Sequence, residues 1–406
     1  MKKILAMLLA LVMVLGLVAC GGETTPTTTA PAEPTPSEST PSDSTPSEPT
    51  PSESAPEDTT PVTGEYKIAM ITDYGDITDQ SFNQTTYEAC KAFAEANNIK
   101  MTYYKPSGDS TAERVAMVDA AVVDGYNIIV MPGYAFGETL VETAELYPDI
   151  KFIALDVADG EGGFHATENV YSAVYQEELS GYMAGYAAVK LGYKHLGYLG
   201  GMAVPAVQRF GYGFLQGVDA AAKELNIVGD IKVEYVYGNQ FYGDADITAV
   251  MDTWYGEKGV ECVFACGGGI WSSAAEAAKK VGGKVIGVDV DQKGTIDGLY
   301  GEGMTVTSAM KGLTPTVMNT LSAIILEDNW AAYAGKIETL GLVSADPEAN
   351  YVQIPMESTQ WSDSFTQEDY KALVAAMFDG TITVSNDIAN FPVTEVAVEQ
   401  YADIKG

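Results

Sequence analysis

Acidic and glycine residues gather where apolar runs of the chain give way to polar ones. Asp73-Tyr74-Gly75, Pro132-Gly133-Tyr134, Asp156, Gly200-Gly201, Gly267-Gly268-Gly269 and Asp289-Val290-Asp291-Gln292 each follow such a run. An Asp carboxylate accepts hydrogen bonds from hydroxyl or amide donors, and glycine lets backbone N–H groups approach a bound molecule closely. Strand-to-helix turns also use Gly and Asp as turn formers and caps, so no single one of these residues decides a function. Signatures of bond-making chemistry are scarce. There is no Gly-x-x-x-x-Gly-Lys-Ser/Thr phosphate loop, and Gly267-Gly268-Gly269 lacks the spacing of a dinucleotide fingerprint. The two histidines, His165 and His195, have no paired ligand spacing, so neither a metal site nor a cofactor is expected.

The elements that must position these residues alternate. Strand-length apolar runs occupy Lys67–Asp73, Lys100–Lys105, Asn127–Gly133 and Lys151–Val157. A second series covers His195–Gly201, Lys232–Gly238, Glu261–Gly267, Lys284–Asp291 and Met304–Met310. Between them lie segments with helical spacing, such as Ser81–Asn98 and Thr111–Asp124. Strand–helix alternation with buried Val/Ile-rich strands predicts parallel sheets covered on both faces. Each series is the size of one doubly wound lobe, giving two α/β lobes: about 64–178 with C-terminal returns, and about 193–310. Thr366–Asp379 reads as a further helix and Thr381–Val384 as strand-like. Ligands bind at the carboxyl ends of strands in such sheets, so a cleft between facing lobes is the expected site. Trp271, after the glycine triplet, suits the cleft wall or the core equally. Cys262 and Cys266 lie about 13 Å apart along one strand at 3.3 Å per residue, beyond disulfide reach, and with Cys90 they read as buried thiols.

The N-terminus carries a different message. Lys2 and Lys3 precede sixteen uncharged residues, Ile4–Ala19, too few for a span of about 20 but suited to a signal-peptide core. Leu17-Val18-Ala19-Cys20-Gly21 resembles the bacterial lipobox, which implies that residues 1–19 are removed and that Cys20 becomes a lipidated N-terminus. Residues 20–63 form a Pro/Ser/Thr/Glu linker. Its Glu23–Pro61 stretch holds ten of the chain's eighteen prolines and no Lys or Arg, so it has little to bury and stays extended. The folded body then runs over 64–406. With 56 acidic against 22 basic residues, a net charge of −34 excludes a role on nucleic-acid phosphates.

An ordered set of motifs carries a resemblance. Asp79-Gln80-Ser81-Phe82-Asn83-Gln84 follows the first strand, and Tyr182-Met183-Ala184-Gly185-Tyr186-Ala187-Ala188 comes next. Gly200-Gly201-Met202, Gln208-Arg209-Phe210-Gly211-Tyr212-Gly213-Phe214, Gly287-Val288-Asp289-Val290-Asp291-Gln292 and Thr307-Ser308-Ala309-Met310-Lys311 complete it. From about Tyr66 to about Val384 the chain resembles the basic membrane protein family of substrate-binding lipoproteins, the purine nucleoside receptor A type.

That resemblance implies a type I periplasmic-binding-protein fold, two doubly wound parallel-sheet lobes joined by a hinge. It implies delivery of a nucleoside to an ABC importer whose permease and ATPase are separate chains, with the binding protein acting as a monomer held at the membrane through Cys20. Phe82 matches the family aromatic that stacks on the base, with Asp73 and Asn83 as polar readers beside it, and Phe241 matches the opposite wall. Asp289 and Lys311 match residues that hold the ribose hydroxyls, and Gly268 lies at a strand end of the same cleft. Gln80 departs from the family pattern, in which a Lys is common. The same fold binding a sugar or furanose-type signal is a second reading, and a nucleoside hydrolase a third. A hydrolase usually needs an acidic metal cluster, for which Asp289-Val290-Asp291 alone is too little.

Overall fold

The computed structural model describes residues 66–406; the expectations for the signal segment, Cys20 and the linker lie outside the described residues. The first sheet contains β1 (Lys67–Ile71), β2 (Lys100–Tyr104), β3 (Ile128–Pro132), β4 (Lys151–Leu155) and β5 (Val170–Tyr175). The second contains β6 (His195–Gly200), β7 (Lys232–Tyr237), β8 (Cys262–Cys266), β9 (Lys284–Asp289) and β10 (Thr305–Lys311). β11 (Lys336–Leu340) returns to the first sheet, while β12 (Val352–Gln353) and β13 (Ala397–Gln400) join the second. The strand orders are β11-β5-β4-β3-β1-β2 and β12-β10-β9-β8-β6-β7-β13. All pairings are parallel except β10 with β12.

Alternate residues of each central strand serve opposite faces. In the first sheet Ile68, Ile128, Val130 and Ile153 pack on one side, and Ala69, Ile71, Ile129 and Phe152 on the other. Strands buried on both faces need helices on both faces. These are α1 (Phe82–Ala96), α2 (Thr111–Val123) and α3 (Phe136–Thr143) around the first sheet. α4 (Glu177–Lys190), α5 (Pro205–Glu224), α6 (Ala245–Asp252), α7 (Trp271–Val281) and α8 (Lys293–Tyr300) follow, then α9 (Leu313–Ile325) and α10 (Gln367–Phe378). The chain passes between the sheets after β5, after β10 and after β11, giving the two-lobed arrangement.

Glycine spacing sets one helix pair. A Cβ on Gly181 or Gly185 of α4 would collide with the carbonyls of Phe210 or Phe214 of α5. One on Gly213 or Gly217 would collide with those of Glu178 or Tyr182. The two backbones therefore touch, and this contact explains why small residues interrupt the apolar motifs at 182–188 and 208–214.

Two features differ from the sequence reading. β5, β11, β12 and β13 are strands that it did not identify. Thr381–Val384 forms no strand: the free edge beside β7 is occupied by β13, and Ile382 and Val384 instead pack their side chains against the second lobe's core. α9 follows β10 of the second sheet yet packs on α1 beside the first, Leu313, Val317 and Leu321 joining Ala89 and Phe93 there. Cys90, Cys262 and Cys266 are buried free thiols. No described helix is long and apolar enough to cross a membrane.

Candidate ligand-binding cleft

The carboxyl ends of β1, β3, β4, β7, β8, β9 and β10 converge on one cavity of about 330 Å³, a volume at the small end for ligand sites. Asp73, Phe82, Asn83, Phe241, Gly268, Asp289 and Lys311 all line it. So do Tyr74, Tyr134, Asp156 and Phe210, which sequence reasoning did not select. Tyr74, Tyr134 and Asp156 stand at recognised strand ends, and Phe210 lies in a quoted motif, so their positions were visible but their convergence was not. Trp271 is not in the wall; it is buried in the core of the second lobe.

One end of the cavity is charged. The Lys311 ammonium lies 2.5 Å from Asp156 Oδ2 and 3.6 Å from both Asp289 Oδ1 and Glu177 Oε1. Its side chain is 3% exposed. Burial alone would lower its pKa, but the three carboxylates hold it above the ordinary lysine range. Asp156 bears the desolvation of this cluster: burial pushes it up to about 6 although Lys311 opposes the shift. Glu177, from the start of α4, is also held by Arg209 Nε at 2.5 Å. The ammonium further sits 4.6 Å from the Phe82 ring centre and 5.5 Å from that of Phe210. Asp156 Oδ1 is buried without a hydrogen-bond partner. Asp156 and Asp289 both adopt positive φ, +63° and +66°, a region that costs non-glycine residues and clusters at functional sites.

The other end carries three carboxylates of the first lobe, Asp73, Asp76 and Asp79. Asp79 accepts from the N–H groups of Ser81, Asn83 and Gln84 at 2.8, 2.9 and 3.1 Å and so caps α1 from outside. The Asn83 amide nitrogen then faces Asp79 at 3.2 Å and Asp73 at 3.4 Å, and its oxygen, buried, has no partner. Burial raises Asp73 to about 6, against a 2.6 Å hydrogen bond from the Gly75 N–H.

Aromatic rings form the walls between. Phe241 packs against Gly201 and Gly267, where any Cβ would collide with its ring, while Gly268 meets its backbone. The glycine triplet therefore seats an aromatic side chain rather than a phosphate. Tyr74 from the first lobe stacks on Phe241 from the second, ring centres 6.1 Å apart. Other contacts also cross the cleft. Gln292 Nε2 donates to the Gln80 carbonyl at 2.9 Å, and Thr295 Oγ1 donates to Gln80 Oε1 at 3.0 Å. Among the described residues, no three His, Cys, Asp or Glu side chains are placed to hold a metal ion.

Comparison with known proteins agrees with this architecture. The family described as "ABC transporter substrate-binding protein PnrA-like" matches residues 66–375. The chain belongs to this family. Its relatives include the "ABC transporter nucleoside-binding protein BmpA" of Lactococcus lactis, 27% identical over 57% of this chain and 66% of that protein. The chain thus spans just under two thirds of that relative's length. Basic membrane protein B of Borreliella afzelii is 28% identical over 69% of this chain and 79% of its own. Among solved structures, an ABC transporter solute-binding protein from Aeropyrum pernix K1 shares the fold, with a TM-score of 0.62 and 21% identity, covering 80% of this chain and 88% of that one. The family is one of substrate-binding proteins, not enzymes.

Proposed function

We propose that the cleft captures a nucleoside, in first place a purine nucleoside, and that the protein delivers it to an ABC permease served by a separate ATPase. The observation that carries this reading is the pairing, in one cavity, of aromatic walls with a carboxylate–lysine cluster whose Asp156 Oδ1 lacks a partner. A ribose supplies the vicinal hydroxyl donors that Asp156 and Asp289 accept, with Lys311 fixing both carboxylates by charge. A base supplies the flat surface for Phe82 and Phe241, and N–H donors for the unpaired Asn83 oxygen. Stacking contributes about 1–3 kcal/mol per base, against the roughly 8 kcal/mol of micromolar capture. Five aspartates line the cavity against one already paired lysine, so a phosphate is repelled and nucleotides are refused.

The name of the Lactococcus relative points the same way. In this reading the lobes open and close by a hinge, and the closed form is what the permease receives. The protein acts as a monomer, anchored outside the cell by lipid on Cys20.

The test is isothermal titration of ligand-stripped protein with guanosine, adenosine, inosine, cytidine and ribose. Tight binding of a purine nucleoside, weakened by both Phe82→Ala and Asp289→Ala, is the expected result. Heat with ribose or another sugar alone would retain the cleft and discard the nucleoside.

A further inference from the structure

The family match ends at residue 375, yet the chain continues to Gly406. β13 lies along the edge of β7, and the chain beyond it stays attached. The Tyr401 and Ile404 N–H groups donate to the Tyr235 and Tyr237 carbonyls, each at 2.9 Å. Those acceptors stand at the end of β7, immediately before the 238–244 loop that carries Phe241. Two more contacts reach the loop itself. The Asn239 side-chain amide donates to the Lys405 carbonyl at 3.0 Å. The Lys405 ammonium pairs with Asp244 and lies 3.4 Å from Asp246. Asp244 in turn accepts from the N–H groups of Asp246 and Ile247 at 3.0 Å, capping α6, and from Gln240 Nε2 at 3.0 Å.

The loop is thus gripped at both ends by the last residues of the chain, Asn239 at its start and Asp244 at its finish. Between these points the Phe241 carbonyl accepts from the Gly269 N–H at 2.8 Å, which ties the loop to the glycine triplet. Asn239 holds a positive φ of +59°, a backbone state that needs support from its surroundings.

We infer that the C-terminal tail is a brace for the cavity wall, with Lys405 as a positioning residue for Phe241, acting through Asp244 and Asn239. Ordering the loop during folding leaves less to order on binding, which slows ligand escape. A tail that merely protects the β7 edge would affect stability and leave binding unchanged. The inference rests on the cleft being the ligand site.

The experiment compares Lys405→Met and Lys405→Arg with the wild type in the full chain, by two readouts. Amide hydrogen exchange in ligand-free protein is expected to quicken about fivefold at Gly269, whose N–H donates to the Phe241 carbonyl, in the Met variant and to return in the Arg variant. The guanosine Kd is expected to rise about three- to fivefold in the Met variant, through faster dissociation, with Arg within twofold of wild type and melting temperatures nearly equal. Unchanged exchange in Lys405→Met overturns the brace. Faster exchange with an unchanged Kd overturns the positioning role. If the wild type binds no nucleoside, the nucleoside reading fails, and the exchange result decides the brace alone.

Discussion

Ser81 Oγ donates to Asp289 Oδ2 at 2.6 Å, joining residues 208 positions apart. The bond ties the start of α1 in the first lobe to the end of β9 in the second, beside the charged end of the cavity. It leaves Asp289 Oδ1 toward Lys311, so one carboxylate takes part both in closing the cleft and in its charge cluster.

The aromatic walls are open to direct test. Phe82→Ala and Phe241→Ala are each expected to raise the guanosine Kd about 5- to 150-fold, the equivalent of 1–3 kcal/mol. Phe82→Leu keeps most of the packing volume, so a comparable loss in that variant assigns the effect to stacking. Titration calorimetry reads all three, and a Kd within twofold in both Ala variants would remove base stacking from the proposal.

Removing the buried cation should cost stability as well as binding. Lys311→Met leaves Asp156, Asp289 and Glu177 facing one another without their shared partner. Breaking a buried ion cluster from one side costs about 3–5 kcal/mol. Urea unfolding should show this loss, and a change below about 1 kcal/mol would mean that the carboxylates simply take up protons.

The buried carboxylate Asp73 contributes a pH dependence opposite to that of carboxylates held low by ion pairs. Asp73 is held near 6 in the folded protein by burial, against about 3.9 when unfolded. The folded state therefore binds the extra proton at Asp73 between those values, and the contribution of Asp73 to stability falls as pH rises from about 4 to about 6. Asp156 is raised in the same direction and contributes the same sign. Asp73→Asn removes one of the two contributions, so its stability relative to wild type should increase across this window. Parallel urea series at pH 4, 5 and 7 measure it, and a constant difference would place Asp73 at an ordinary pKa.

The neutral latch across the cleft has its own variant. Thr295→Val removes the donor to Gln80 Oε1 while keeping the shape of the side chain. Losing one such bond costs about 0.5–1.5 kcal/mol, so the closed form should be less populated and ligand should leave up to about tenfold faster. Stopped-flow dissociation checks this, and an unchanged off-rate would show that the Gln80 contact is incidental to closure.

Anchoring is testable apart from binding. In cells, Cys20→Ala should move the protein from the membrane fraction to the medium, and mass spectrometry of the wild type should find diacylglycerol on Cys20. Recovery of the unmodified thiol in membrane-bound protein would refute the lipid anchor.

Much of the architecture was legible because its signal is local. Val/Ile-rich runs and helical spacing marked nine strands at nearly their observed bounds, and strand ends marked residues that line the cavity. β11 escaped because it is a partly exposed edge strand with no continuous apolar run. Thr381–Val384 misled because its alternating pattern matches a strand, while the sheet edge it would need was already filled by β13. Asp156 was visible as a strand-end acid, but nothing near it in the chain announces Lys311, 155 residues away.

The sequence by itself determined two α/β lobes, because composition and periodicity are properties of short stretches, and its resemblance to the family supplied Phe82, Phe241, Asp289 and Lys311 as cleft candidates. Only the tertiary structure decided that Lys311 is shared among three carboxylates, that Phe241 rests on glycines and on Tyr74, and that the last residues brace its loop. Those are contacts between distant segments, set by strand order and by which edge each returning segment can reach, and no local pattern encodes them.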